Sequence, residues 1–214
     1  LVGSEMCIRD RGMIGETVVN LMFTYDRITL PAENTAVNRI AVLFREGLLT
    51  QDLVDILHAL RKVRNKAVHE NYASVVDGKV LLQMAHSLCE WFMQTYGDWN
   101  YKNKPFVLPA NLPVEVSTDT GAEQEHEKQL SKEAEEKAAA SDSVAKEKRR
   151  QQAAKAASQR QKTEAETRYM IDQQLRQVGW EADTENLRFS KGTRPVKGRN
   201  LAIAEWPTDS TVGN

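Results

Sequence analysis

Between Met13 and Gly97 the apolar residues recur at spacings of three and four, the period of a helix with one buried face. Ile14, Val18, Leu21, Met22 and Tyr25 fall on one such face. Pro31 closes the connection that follows, because its ring cannot continue a helix. A second helix carries Val37, Ile40, Ala41 and Phe44, and Gly47 is placed to stop it. Thr50 suits the N-cap of a third, since its hydroxyl can accept from a free backbone N–H. That helix puts Leu53, Ile56, Leu57, Leu60 and Ala67 on one side, and a fourth does the same with Leu81, Met84, Leu88, Trp91, Phe92 and Thr95. Short connections between amphipathic helices favour an antiparallel bundle.

The pattern then changes twice. Pro105, Pro109 and Pro113 make residues 98–120 an extended strap, anchored by Phe106 and Leu108. From 122 to 162 only Leu130 and Val144 are large and apolar; the rest is dominated by Ala, Glu, Gln, Lys and Arg, strong helix formers without an a/d seam. A solvated, partly helical spacer is the expectation, with pairs such as Glu133–Lys137 and Asp142–Lys146 in support and a basic second half, Lys146 to Lys162. That half fits a solvated face, a DNA contact or an acidic partner surface. At Thr163 a folded unit starts again: Thr163 and Glu166 have capping-box spacing, Ile171, Leu175 and Val178 follow, and Gly179 ends the helix before Trp180. Short extended pieces, Leu187 to Phe189 and Leu201 to Trp206, then open an α/β unit.

The net charge of -1 excludes a polycation that binds nucleic acid by bulk charge. Two cysteines, Cys7 and Cys89, give neither a disulfide framework nor metal-ligand spacing, which fits a reducing, cytoplasmic setting. No run approaches the roughly 20 apolar residues of a membrane helix, so no membrane partner is expected. Leu1 to Arg11 (LVGSEMCIRDR) has no helical or strand period and resembles a translated sequencing adaptor, so it is set apart as an artefactual leader.

The most specific residues lie in the last unit. Glu166-Thr-Arg168, Leu175-Arg176, Gly179-Trp180, Leu187-Arg-Phe-Ser-Lys-Gly192, Arg194-Pro195 and Ala204-Glu-Trp-Pro207 together resemble the opening of the nuclease domain of type I restriction enzyme R subunits. Upstream, Leu57 to Glu70 (LHALRKVRNKAVHE) is similar to the HEPN-like helical domain that precedes the nuclease in many of them. The order bundle, Pro-containing strap, charged spacer, nuclease start is also the family's. The resemblance covers roughly Gly12 to Pro207.

What it implies is a mainly α chain. An artefactual leader at 1–11 precedes a HEPN-like helical bundle with its strap at 12–115 and a charged helical or disordered spacer at 116–162. The incomplete start of an α/β PD-(D/E)xK-type nuclease domain occupies 163–214. In that class an Asp and a Glu-x-Lys hold the magnesium that activates water, and both are expected downstream of Trp206. There is no GxxxxGK[ST] phosphate loop. No metal or cofactor is therefore expected in this length of chain, and Mg2+ and ATP are implied for the full family. The implied partners are methylation and specificity subunits and double-stranded DNA, in ATP-dependent restriction of foreign DNA. Glu166 is either only part of the capping box or an acid assisting the metal site.

Two constellations stay open. Arg64 and His69 have the R-x4-H spacing of HEPN ribonucleases, where His acts as acid/base and Arg steadies phosphate charge. On a continuous helix of about 100° per residue they point roughly 140° apart. The structural alternative buries Arg64 against an acid such as Glu16. A stand-alone HEPN-like RNase or interaction module is the competing function. Arg188, Lys191, Arg194, Lys197 and Arg199 form an acid-free basic segment that reads either as a solvated loop or as a DNA-backbone contact. Cys89 is expected in the core, and His58 and His86 have no second ligand at metal spacing.

Overall fold

The structure, a computed structural model, describes residues 2–70, 75–108, 120–139, 143–160 and 162–207, and of these the side chains of 2–12, 66–70, 75–77, 120–124, 127, 139 and 143 lie outside the described set. The chain forms two compact units, Leu1–Gln161 and Lys162–Asn214, and is mainly helical.

The first unit is built on α1 (Val2–Tyr25), α2 (Ala36–Arg45), α3 (Gln51–Glu70) and α4 (Val75–Phe92). Helix α1 packs on α3 and α4 through Val18, Val19, Met22 and Phe23. From α3 come Leu53, Ile56, Leu57 and Leu60, and from α4 Leu81, Met84, Leu88 and Trp91, all buried. Each large apolar side chain removed from water contributes about 1.5–3 kcal/mol. Truncating a central one, Leu53→Ala, would cost about 2–5 kcal/mol. Helix α2 turns differently from its expected face: Ile40 and Leu43 are buried, whereas Val37 and Phe44 are exposed. Gly47, at φ +70°, ends it; its N–H donates to the Phe44 carbonyl and that of Leu48 to Leu43. Thr50 starts α3 with its carbonyl, which accepts from Val54, but its hydroxyl makes no bond among the described residues. The segment set apart as a leader is not shapeless, since α1 runs without a break from Val2. Once a packed turn has nucleated, each further residue adds a backbone bond.

After α4 the chain widens into a π-helical turn, Met93–Gly97, which turns Thr95 and Tyr96 inward. Phe92 and Tyr96 stack at 4.9 Å, and Tyr25 meets Tyr96 at 5.3 Å. The strap is described to residue 108. Glu90 holds it by accepting from the Tyr101 hydroxyl (2.8 Å) and the Lys104 N–H (2.6 Å), and Phe106 packs edge-on against His86. Leu108, the other expected anchor, is exposed; Pro109 and Pro113 lie outside the described residues.

The expected solvated spacer is instead docked. Helix α5 (Thr120–Ala139) packs on α1 with Ala134 and Ala138 buried, and α6 (Ser143–Gln159) packs on α4 and the π-helical turn with Ala153 and Ala156 buried. Alanines four and three apart make a flat seam that lets helices approach closely. Trp91 Nε1 donates to the Ala153 carbonyl at 3.1 Å, so α6 also satisfies a buried indole that would otherwise be left unmet.

In the second unit, α7 (Glu164–Gln177) begins at Thr163, whose hydroxyl accepts from the Glu166 N–H at 3.2 Å. It ends in a Schellman motif: Gly179, at φ +85°, donates to Arg176, and Trp180 to Leu175. Two short strands follow, β1 (Glu181–Ala182) and β2 (Leu201–Ala202), paired in parallel with Glu181 opposite Leu201. The strand at 181–182 was not expected. The extended piece at 187–189 is only a single bridge, Arg188 to Ala204, before a 3-10 turn at Phe189–Lys191.

Candidate functional site

Arg64 of α3 forms an ion pair with Glu16 of α1. The pair is not deeply buried: 28% of the Arg64 side chain and 41% of Glu16 remain exposed, so water shares in solvating it. Helix α3 is continuous to Glu70, which keeps positions 64 and 69 about 140° apart on its surface. The His69 side chain lies outside the described residues. The kink that would bring an RNase pair together is absent from the described backbone.

The basic half of the former spacer finds its acids inside its own unit. Arg149 Nε lies 2.9 Å from Asp26 Oδ1, with the Asp26 side chain fully buried. The Tyr96 hydroxyl donates to the other Asp26 oxygen at 2.7 Å. Burial, and then the charge of Asp26, push the Tyr96 phenol well above its ordinary range, so it stays protonated as a donor. Lys146 and Arg150 both reach Glu46, and Arg160 pairs with Asp52 and donates to the Ser87 hydroxyl. These cations hold α6 to the bundle rather than facing a separate acidic surface.

In the second unit the candidate DNA contacts separate by geometry. Arg188 donates from Nε to the Thr184 carbonyl at 2.6 Å and from Nη1 to Glu205 at 3.2 Å. Arg194 lies over the Phe189 ring, 3.8 Å from its centroid, and donates to the Phe189 and Thr193 carbonyls. Arg199 grips Glu181 with both Nε and Nη2, and that contact lowers the Glu181 carboxyl below its usual value. Lys191 and Lys197 are exposed and make no ion pair among the described residues. Three of the five expected contacts therefore shape the loop, and two reach into solvent.

The residues that carry the family resemblance join one another here. Glu205, at φ +55°, lies 3.4 Å from Arg168 and 3.2 Å from Arg188, tying α7 to the loop and to the strand end. Phe189 meets Trp206 edge-to-face at 5.0 Å. Asp172 of α7 accepts from both the N–H and the hydroxyl of Thr184 at 2.7 Å. Asp183 caps the next turn. Burial works to raise its carboxyl, but bonds from the Asn186 side chain and backbone outweigh that and leave it below its ordinary value. Sequence reasoning missed Asp172 and Asp183, since an isolated Asp has no spacing to betray a cap. Glu166 is buried on α7 within this unit.

Among the described residues no three His, Cys, Asp or Glu side chains are grouped to hold a metal. In the second unit Glu181, Asp172, Asp183 and Glu205 each serve a turn or an ion pair, so these four do not form a magnesium site. Cys89 is half-buried rather than fully in the core, and burial raises its thiol above the ordinary value, which keeps it protonated. No helix among the described residues is long and apolar enough to cross a membrane.

Residues 181–214 match the family described as the type I restriction enzyme EcoKI endonuclease subunit, second domain. The type I restriction enzyme EcoKI endonuclease subunit of Escherichia coli (strain K12) is 33% identical over 230 residues, covering 83% of this chain and 20% of the relative. No solved structure matches. The chain is thus similar to a fragment of the endonuclease (R) subunits of type I restriction enzymes, and spans about a fifth of the length of the relative it matches.

Proposed function

We propose that this chain works as part of an R subunit in ATP-dependent restriction of foreign double-stranded DNA, alongside methylation and specificity subunits in the cytoplasm. Its first unit is the accessory helical bundle, with α5 and α6 as integral layers. Its second unit opens the endonuclease domain, whose magnesium and ATP chemistry lies in other parts of the subunit. The supporting observation is that the residues matched to the second domain fold together with the α7 residues preceding them, through the Arg168–Glu205–Arg188 cluster. These residues brace the unit. In this reading Lys191 and Lys197 touch DNA phosphates, while Arg188, Arg194 and Arg199 hold the loop that presents them.

Fluorescence anisotropy with a labelled duplex tests this. Neutralising one phosphate contributes about -0.9 to the slope of log K against log salt. Two lysine contacts give a weak complex with a slope near ~-1.8, and Lys191→Gln with Lys197→Gln should flatten it. A slope that stays steep in the double variant would exclude this loop as the DNA contact.

A further inference from the structure

A cleft of about 220 Å³ opens in the first unit between α1, α2 and α3, beside the Glu16–Arg64 pair. Ile40 and Leu57 line its apolar wall; Glu16, Asn20, Arg39 and Arg61 supply its polar groups. Glu16 is neutralised by Arg64. No carboxylate pairs with Arg39 or Arg61 among the described residues; Arg39 donates only to the Asn20 side-chain oxygen, and each guanidinium has an Nε with no partner. The Asn20 amide, with its oxygen turned to Arg39, offers its N–H pair as a further donor. The uncompensated charge is felt one turn away: burial first, and then Arg61 and Lys62, hold the His58 imidazole below its ordinary value.

Two part-buried arginines without acids are costly unless something anionic meets them, because an unmet donor loses its water without a replacement. Guanidinium groups suit oxyanions that accept parallel N–H bonds. Two unpaired positive charges match a dianion, and a phosphate monoester carries about -1.5 to -2 at pH 7. The cleft is smaller than the roughly 300–1,000 Å³ of drug-sized sites, which limits the occupant to a phosphate with a small body. We infer that the Arg39–Arg61 cleft is a binding site for a phosphate dianion, with Asn20 as an additional donor and Ile40 and Leu57 as the wall for a small apolar substituent.

Calorimetric titration of the whole chain at constant ionic strength tests this with inorganic phosphate, phenyl phosphate and acetate. Saturable binding of a phosphate is expected, with acetate at least about ten-fold weaker, as one charge and its bonds are lost. Tighter binding of phenyl phosphate than of inorganic phosphate assigns the site to an esterified ligand; equal binding assigns it to free phosphate. Arg39→Gln with Arg61→Gln should weaken phosphate at least ten-fold with an unchanged helical spectrum. Asn20→Asp, which sets a carboxylate beside Arg39 without changing size, should do the same and stands alone if the double variant fails to fold. Absence of saturable phosphate binding, equal binding of acetate, or full affinity in the folded variants would overturn the proposal.

Discussion

Replacing Arg149 with alanine removes the partner of Asp26, and the consequence separates a docked α6 from a free one. The Asp26 side chain is 0% exposed and that of Arg149 13%, so this pair lies well away from solvent. Breaking such a pair from one side strands a charge, at a cost of about 3–5 kcal/mol. The Tyr96 hydroxyl still donates to Asp26, which places the expectation near the lower figure, about 3 kcal/mol. Lys146 on the same helix gives the contrast: it and Glu46 are about a third exposed, and Lys146→Ala should cost about 1 kcal/mol or less. Urea unfolding followed by circular dichroism, extrapolated linearly to water, measures both. Adding Asp26→Asn to Arg149→Ala removes the stranded charge and should return about 2 kcal/mol or more of the loss. If Arg149→Ala stays within about 0.5 kcal/mol of the parent, the range of an ordinary surface substitution, then α6 is not held by this network and the docked arrangement is wrong.

Arg64→Ala should cost only about 1 kcal/mol in the same urea assay, because Glu16 left behind can reach water; a loss above about 3 kcal/mol would mean a buried pair. Gly179→Ala, which forces an L side chain to φ +85°, should destabilise the second unit by about 1–2 kcal/mol in thermal melts, and no loss would refute the Schellman cap. Asp183 has a folded pKa below the unfolded 3.8. Its contribution is therefore fully present above that value and is lost as pH falls through the lower folded pKa. Asn186→Ala should raise the Asp183 carboxyl titration seen by NMR, and an unmoved titration would remove Asn186 from the cause.

The sequence made the first four helices legible because large apolar residues at helical spacing have one reading. Gly47 and Gly179 were legible for a similar reason, since a glycine just past the last periodic residue marks a left-handed stop. The docking of α5 and α6 was not. Alanine is both the best helix former and a residue small enough to be buried, so Ala134, Ala138, Ala153 and Ala156 carry no sign of which role they serve. Long-range pairs such as Arg149–Asp26 are invisible to local spacing. The exposure of Phe44 shows the opposite failure: α2 is strongly amphipathic, yet Leu43 takes the buried position one residue away. In the second unit the motif residues were legible as a set, while their work, an Arg–Glu–Arg clasp and a Phe189–Trp206 contact, required the chain to bring positions 168, 188 and 205 together.

On the proposed function, this chain supplies its two units to a type I restriction endonuclease subunit. Grafting it in place of the matching stretch of the Escherichia coli relative, and measuring how far the chimeric enzyme reduces plating of unmethylated phage, tests that claim directly. Restriction should be retained, and should fall when Arg168 and Arg188 are both changed to Gln to release Glu205. A chimera that assembles with its methylation and specificity subunits, remains folded and yet plates phage without restriction would contradict it.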